Sequence, residues 1–119
     1  SGHAPYPHRI FEVGKVAFLE PSDNSGTVTR NYLGFMSADG AVTFNDANSF
    51  INTLMYFLRT EYTLATPEED PRFIPGRCAD IMVGGKKIGI FGEVHPAVLE
   101  SWGCGMPAVV AEIDLDCLL

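Results

Sequence analysis

Residues Cys78–Val94 read CADIMVGGKKIGIFGEV, two β-rich arms on either side of Gly84-Gly85. A two-residue hairpin turn matches the twist of its strands when its central residues take positive φ, and glycine does this at no steric cost. The arms Cys78 to Val83 and Lys86 to Val94 are therefore expected to pair antiparallel. Downstream, Pro96 suits the first position of a short helix running to Trp102, and Gly103 can end it. Ala108 to Leu115 (AVVAEIDL) then reads as a last strand, rich in Val, Ile and Leu.

Upstream the pattern changes period. Pro67 to Pro75 (PEEDPRFIP) is a loop with an acidic cluster, and Glu61 to Thr66 is a candidate strand leaving a helix. That helix is expected over Asp46 to Thr60, capped by Asn45 or Asp46, because Phe50, Ile51, Leu54, Phe57 and Leu58 recur at helical spacing. Met55 and Tyr56 widen its apolar stripe. Asp39-Gly40 marks a turn. Ile10 to Leu19 and Thr27 to Met36 read as two further strands, antiparallel across the turn-rich Glu20 to Gly26 loop, with Gly14 a candidate bulge. Pro5, Tyr6 and Pro7 should hold an extended entry, and Ser1, Gly2 and His3 read as an expression remnant. With no internal repeat, five or six strands and two helices predict one α+β domain over residues 4–119. Its antiparallel sheet is expected to carry the helices on one face.

The composition agrees with a single core. The chain has 119 residues, 46% of them apolar, and a compact fold of this length has a radius of gyration of roughly 13–14 Å. Fifteen Asp and Glu against eight Lys and Arg give a net charge of -7, which disfavours unaided binding to a phosphate backbone. No apolar run approaches the ~20 residues that span a bilayer, and no leader pattern opens the sequence, so neither a membrane-spanning nor a freshly secreted protein is expected. Cys78, Cys104 and Cys117 are three thiols at irregular spacing with no Cys-x-x-Cys pair, as expected in a reducing compartment.

The candidate chemistry is sparse. His3, His8 and His95 share no helix face at metal-ligand spacing, so no metal site is expected. Glu93 and His95 stand two residues apart, an arrangement open to an acid–base couple of a small hydrolase or transferase, or to a pair that orients a loop. The second is favoured, with a His95 ring nitrogen bonded to backbone at the strand-to-helix junction. Gly84-Gly85-Lys86-Lys87 sits at a hairpin tip, where a solvated turn is expected rather than a phosphate cradle. Arg77 enters a strand and needs a partner; Glu68, Glu69 and Asp70 are near in sequence, so an ion pair or a subunit contact is expected.

Several blocks together are distinctive: Phe73 to Ile81 (FIPGRCADI), Gly85 to Gly89 (GKKIG), Gly92 to Pro96 (GEVHP), Met106-Pro107, Glu112 to Leu115 (EIDL) and Tyr6 to Gly14 (YPHRIFEVG). In this order they resemble the C-terminal core region of the phenylalanyl-tRNA synthetase beta subunit, in its archaeal and eukaryotic-like form. The resemblance implies a degenerate copy of a class II aminoacyl-tRNA synthetase catalytic fold. It also implies a cytoplasmic α₂β₂ enzyme whose alpha subunit activates phenylalanine with ATP and Mg²⁺ and charges its tRNA. The beta core then serves assembly with alpha, and tRNA(Phe) is a partner only of the whole enzyme.

The residues fit the non-catalytic half of that implication. Class II chemistry needs one Arg on a sheet strand for the α-phosphate and another in a Gly-rich strand-to-helix motif, since cations there stabilise the reacting phosphate. Arg9-Ile10-Phe11-Glu12 has the wrong internal spacing for the first, and Gly89 to Gly103 contains no Arg for the second. Neither Arg9 nor Arg77 can take those roles. No catalytic, cofactor-binding or metal residue is assigned, and no cofactor is expected in this domain. A free-standing protein-interaction module is the further alternative.

Overall fold

The computed structural model describes the backbone of residues 8–19 and 27–118, and side chains from residue 31 to 118. The expected loop Glu20 to Gly26 and the entry segment before residue 8 lie outside the described residues. Six strands form one sheet: β1 (His8–Leu19), β2 (Thr27–Ala38), β3 (Thr63–Ala65), β4 (Phe73–Val83), β5 (Lys86–Val94) and β6 (Ala108–Asp114). The spatial order is β1-β2-β6-β5-β4-β3, and every neighbouring pair is antiparallel. Two helices, α1 (Phe44–Phe57) and α2 (Pro96–Ser101), complete the fold with a 3-10 turn at Leu115–Cys117. The fold is the expected α+β arrangement with helices flanking the sheet. The radius of gyration, 15.3 Å, exceeds the compact-globule value because the two 12-residue strands make a long arm.

Cross-strand register sorts side chains into rows. Phe35, Ala111, Phe91 and Ala79 are consecutive partners across β2, β6, β5 and β4. The next row is Leu33, Ile113, Gly89 and Ile81. Both rows face α1, whose Ala47, Ile51 and Met55 close the main core. Because side chains alternate along a strand, the intervening residues face the other way. One such row is Gly34, Glu112, Ile90 and Asp80, and another is Met36, Val110, Gly92 and Cys78. At one end of that second face, Val98 and Leu99 of α2 pack against Ala38, Val94 and Ala108. The helices therefore lie on opposite faces, not on one as expected: Val94 ends β5 pointing away from α1, so the chain that follows it starts on the far side.

The Gly84-Gly85 turn has φ of 58° and 79° and joins the two arms as the sequence requires. Two irregularities shape this hairpin. Ile81 pairs with Gly89 while Met82 pairs with Lys87, so Ile88 is the extra residue of a bulge and is buried with the main core. Gly89 is held to glycine by closeness: a Cβ there would stand 2.5 Å from the Glu112 carbonyl oxygen. The second irregularity lies between Phe73 and Cys78, where Pro75 offers no N–H and Gly76 takes φ 79°. Gly14, by contrast, is no bulge; β1 and β2 stay in register from His8 opposite Ala38 to Leu19 opposite Thr27.

Helix α1 begins two residues before the expected start. Its N-cap is Thr43, not Asn45 or Asp46, and the Thr43 N–H donates to Asp46 Oδ2 at 2.7 Å. Asp46 thus acts from the third helical position, as the acidic arm of a capping box. Ala47, Ile51 and Met55 are buried, and Phe50, Leu54 and Leu58 of the expected stripe pack against the same core; Tyr56 and Phe57 depart from it and face solvent. The helix stops at Arg59, whose φ is 52°, with Arg59 N–H donating to the Tyr56 carbonyl and Thr60 N–H to that of Met55. This is a Schellman ending with arginine where glycine is usual.

Candidate functional site

Glu93 lies where β5 reaches the N-terminus of α1. Its Oε2 accepts the Phe44 N–H at 2.8 Å, so a carboxylate satisfies an unpaired amide at the positive end of the helix. Its Oε1 accepts from Arg77 Nη1 at 3.1 Å. The bulge after Phe73 is what carries Arg77 over Glu93: β4 spends the segment 74–77 opposite the single β5 position Glu93. Gly92 makes room for it, since a Cβ there would meet Cys78 Cβ at 2.5 Å and the Arg77 carbonyl oxygen at 2.6 Å.

His95 is the N-cap of α2, and its Nδ1 accepts the Ala97 N–H at 3.1 Å. The loop-orienting reading of Glu93 and His95 is the one the geometry supports. Each side chain holds the amide of a different helix, Glu93 that of α1 and His95 that of α2. The structure records no hydrogen bond between them among the described residues.

The acidic loop finds a different arginine from the one expected. Arg72, not Arg77, takes Asp70: its Nη2 stands 2.8 Å from Asp70 Oδ2 and its Nη1 2.8 Å from Glu112 Oε1. This bridge lies across the sheet face opposite α1, in the row Glu112, Ile90, Asp80. The next cation, Lys87, pairs with Asp80 at 3.1 Å. The Arg72 hydrogen bond holds the Asp70 carboxyl below its ordinary range, and the same bond raises the Arg72 guanidinium above its own. Burial, then the nearby charges of Asp70 and Asp80, pushes the Cys78 thiol up. Sequence reasoning missed Arg72, although Asp70-Pro71-Arg72 carries the signal of a tight turn that returns a cation to its own carboxylate.

Glu68, Glu69, Asp70, Asp80 and Lys87 line a hollow of ≈ 440 Å³ on this face. Among the described residues no group of three or more His, Cys, Asp or Glu is placed to hold a metal ion. Glu112 and Asp80 sit two strands apart with Ile90 between them, roughly 10 Å at the usual strand spacing. Among the described residues a polyphosphate with its divalent cation does not fit here: Arg72 and Lys87 are tied to carboxylates, and the carboxylates would repel it. Gly84-Gly85-Lys86-Lys87 is an exposed turn with Lys87 engaged by Asp80.

Residues 3–115 match the family model for the phenylalanyl tRNA synthetase beta chain CLM domain. Curated relatives agree along the whole chain. The phenylalanine–tRNA ligase beta subunit of Treponema pallidum subsp. pallidum is 46% identical over all 119 residues, which are 20% of that protein. That of Thermococcus sibiricus is 43% identical over 113 residues, 95% of this chain and 20% of the relative, and that of Borrelia hermsii is 41% identical over 119 residues, 21% of the relative. The chain thus spans about a fifth of the curated relatives it matches. The family match, covering the hairpin, both helices and the Arg72 face, makes this chain a member of the phenylalanyl tRNA synthetase beta chain CLM domain family.

Proposed function

We propose that this chain is a non-catalytic core domain of a phenylalanine–tRNA ligase beta subunit, one folded unit over residues 4–119. Its place is the C-terminal core region of that subunit, in the archaeal and eukaryotic-like form. Its sheet is a degenerate class II synthetase core. Its work is assembly with the catalytic alpha subunit in a cytoplasmic α₂β₂ enzyme, which uses ATP and Mg²⁺ to charge tRNA(Phe). No catalytic, cofactor-binding or metal residue is assigned to this domain.

One observation carries the reading. The sheet face opposite α1 displays Glu112 and Asp80, each closed by its own cation. A nucleotide site needs free cations aimed at phosphate; this face has carboxylates with salt-bridged partners. The acidic balance of the chain points the same way. The Glu93/His95 hydrolase reading loses its basis, since both groups accept backbone amides.

The test has two arms. Incubated with phenylalanine, ATP and labelled pyrophosphate, the chain alone should give no exchange above buffer; robust exchange would overturn the reading. Mixed with a synthetase alpha subunit, it should elute as a heteromer by light scattering. Elution of the two at their separate masses would instead favour a free-standing interaction module.

A further inference from the structure

The corner where α1 ends near β3 carries exposed aromatic rings and little charge. Between Asp46 and Arg59 the helix carries no charged residue, in a chain that is 19% charged. Ala47, Ile51 and Met55 are spent on the core. Tyr56 and Phe57 are not: they stand 77% and 75% exposed, ring edge to ring face at 5.6 Å. Tyr56 and Phe57 border an open cleft of ≈ 840 Å³ whose one charged lining residue is Glu61. Edge strand β3 pairs with β4 on one side only, so its other row of backbone groups meets no described strand.

Depletion of charge with enrichment of aromatics marks the centre of an interface, and each aromatic covered removes about 150–250 Å² from water. A nucleic acid or an acidic peptide would need cations that the cleft lining lacks. A basic partner would find a single carboxylate. The occupant that fits is an uncharged, apolar protein surface. Its source is suggested by length: the chain is 20% of the Treponema relative, so about four-fifths of such a polypeptide lies outside this structure. We propose that this corner seats another domain of the same longer polypeptide, which lays an uncharged apolar surface over Tyr56 and Phe57. The proposal rests on the beta-subunit reading above.

The test grafts this chain in place of the matching fifth of the Treponema beta subunit and carries Tyr56→Cys in both the graft and the isolated chain. Alkylation of that thiol, read by peptide mass spectrometry, should be at least tenfold slower in the grafted beta subunit without any alpha subunit. Equal rates would overturn the proposal. So would protection that arises only when alpha is added, or protection of the isolated chain that grows with its concentration, which would make a second copy the occupant. A second measurement needs no thiol: Tyr56→Ser with Phe57→Ser should leave the unfolding midpoint of the isolated chain unmoved and lower that of the graft. Protection in a graft that fails to bind alpha would support the corner and count against the assembly role alone.

Discussion

The two faces of one sheet are built from alternate residues of the same strands, yet they do opposite work. Phe91, Ala111 and Ala79 point to α1, where Phe35 stacks on Phe50 at 4.1 Å and Phe44 on Phe91 at 4.9 Å. Their immediate neighbours Ile90, Glu112 and Asp80 point the other way, into a ladder of ion pairs at the protein edge. The apolar face is where burial supplies free energy, at about 25 cal/mol per Å² removed from water. The ion pairs of the other face contribute little, because partly exposed pairs are each worth about 0–1 kcal/mol. What the contrast teaches is that the charged face is free to vary its chemistry without unfolding the domain. In this chain its described cations, Arg72 and Lys87, are directed at the chain's own carboxylates.

The sharpest way to break the comparison is to cut equivalently into both faces. Ile51→Ala removes a fully buried side chain from the α1 face and should cost about 2–5 kcal/mol in chemical denaturation. Glu112→Gln on the other face should cost about 1 kcal/mol or less. If the two losses are equal, stability is not divided between the faces as described. Gly92→Ala is the next largest effect, because its Cβ would meet Cys78 Cβ at 2.5 Å. Overpacking of this kind costs about 1–3 kcal/mol, and the movement it forces should loosen Arg77 from Glu93.

Glu93 tests the joint between sheet and helix. Glu93→Ala leaves the Phe44 amide without its acceptor and should cost about 1–3 kcal/mol. Glu93→Gln keeps an oxygen for that amide and gives up only the ionic pairing with Arg77, so it should recover more than half of the loss. If Gln and Ala are equally damaging, the charge rather than the helix cap is what Glu93 contributes. Any gain of hydrolytic activity lost again in Glu93→Gln would restore the acid–base reading.

The sequence carried the hairpin and the strand directions because those depend on local rules. Gly84-Gly85 admits positive φ, and Pro96 suits the start of a helix, whatever surrounds them. It misjudged the cap of α1 because Asp46 reaches back to the Thr43 N–H from inside the helix, so the helix starts before the residue the sequence offers as its cap. It misjudged the stripe because Phe57 is apolar, and periodicity cannot say that the helix runs out of sheet to cover; Tyr56 fails for the same reason. The candidate site was half legible. Glu93 and His95 stood out by type and spacing, and a backbone role for the His95 ring follows from its place before Pro96. The partner of each arginine did not: Arg77 reaches Glu93, sixteen residues away, only through the bulge at 74–77, and Arg72 reaches Glu112 across the sheet. Contacts set by three-dimensional register are invisible to a linear reading.

The smallest effect separates the two faces by pH. Arg72→Ala should cost about 1 kcal/mol at neutral pH, since it breaks a two-carboxylate bridge that is partly exposed. Arg72 holds the folded Asp70 carboxyl below the value of about 3.9 that it has in an unfolded chain. A carboxylate lowered on folding stabilises the fold fully above its unfolded pKa and loses that contribution as pH falls through the lower folded one. The guanidinium stays charged throughout this range, so it adds no slope of its own. The difference in stability between the native chain and Arg72→Ala should therefore be flat from about pH 7 down to pH 5 and shrink below about pH 4. The Ile51→Ala difference, which involves no ionisable group, should not follow that course. Denaturation curves at about pH 7, 5 and 3.5 for both variants decide it: a parallel decline in both would mean that acid weakens the whole fold, whereas a decline confined to Arg72→Ala assigns the titration to the ion-paired face.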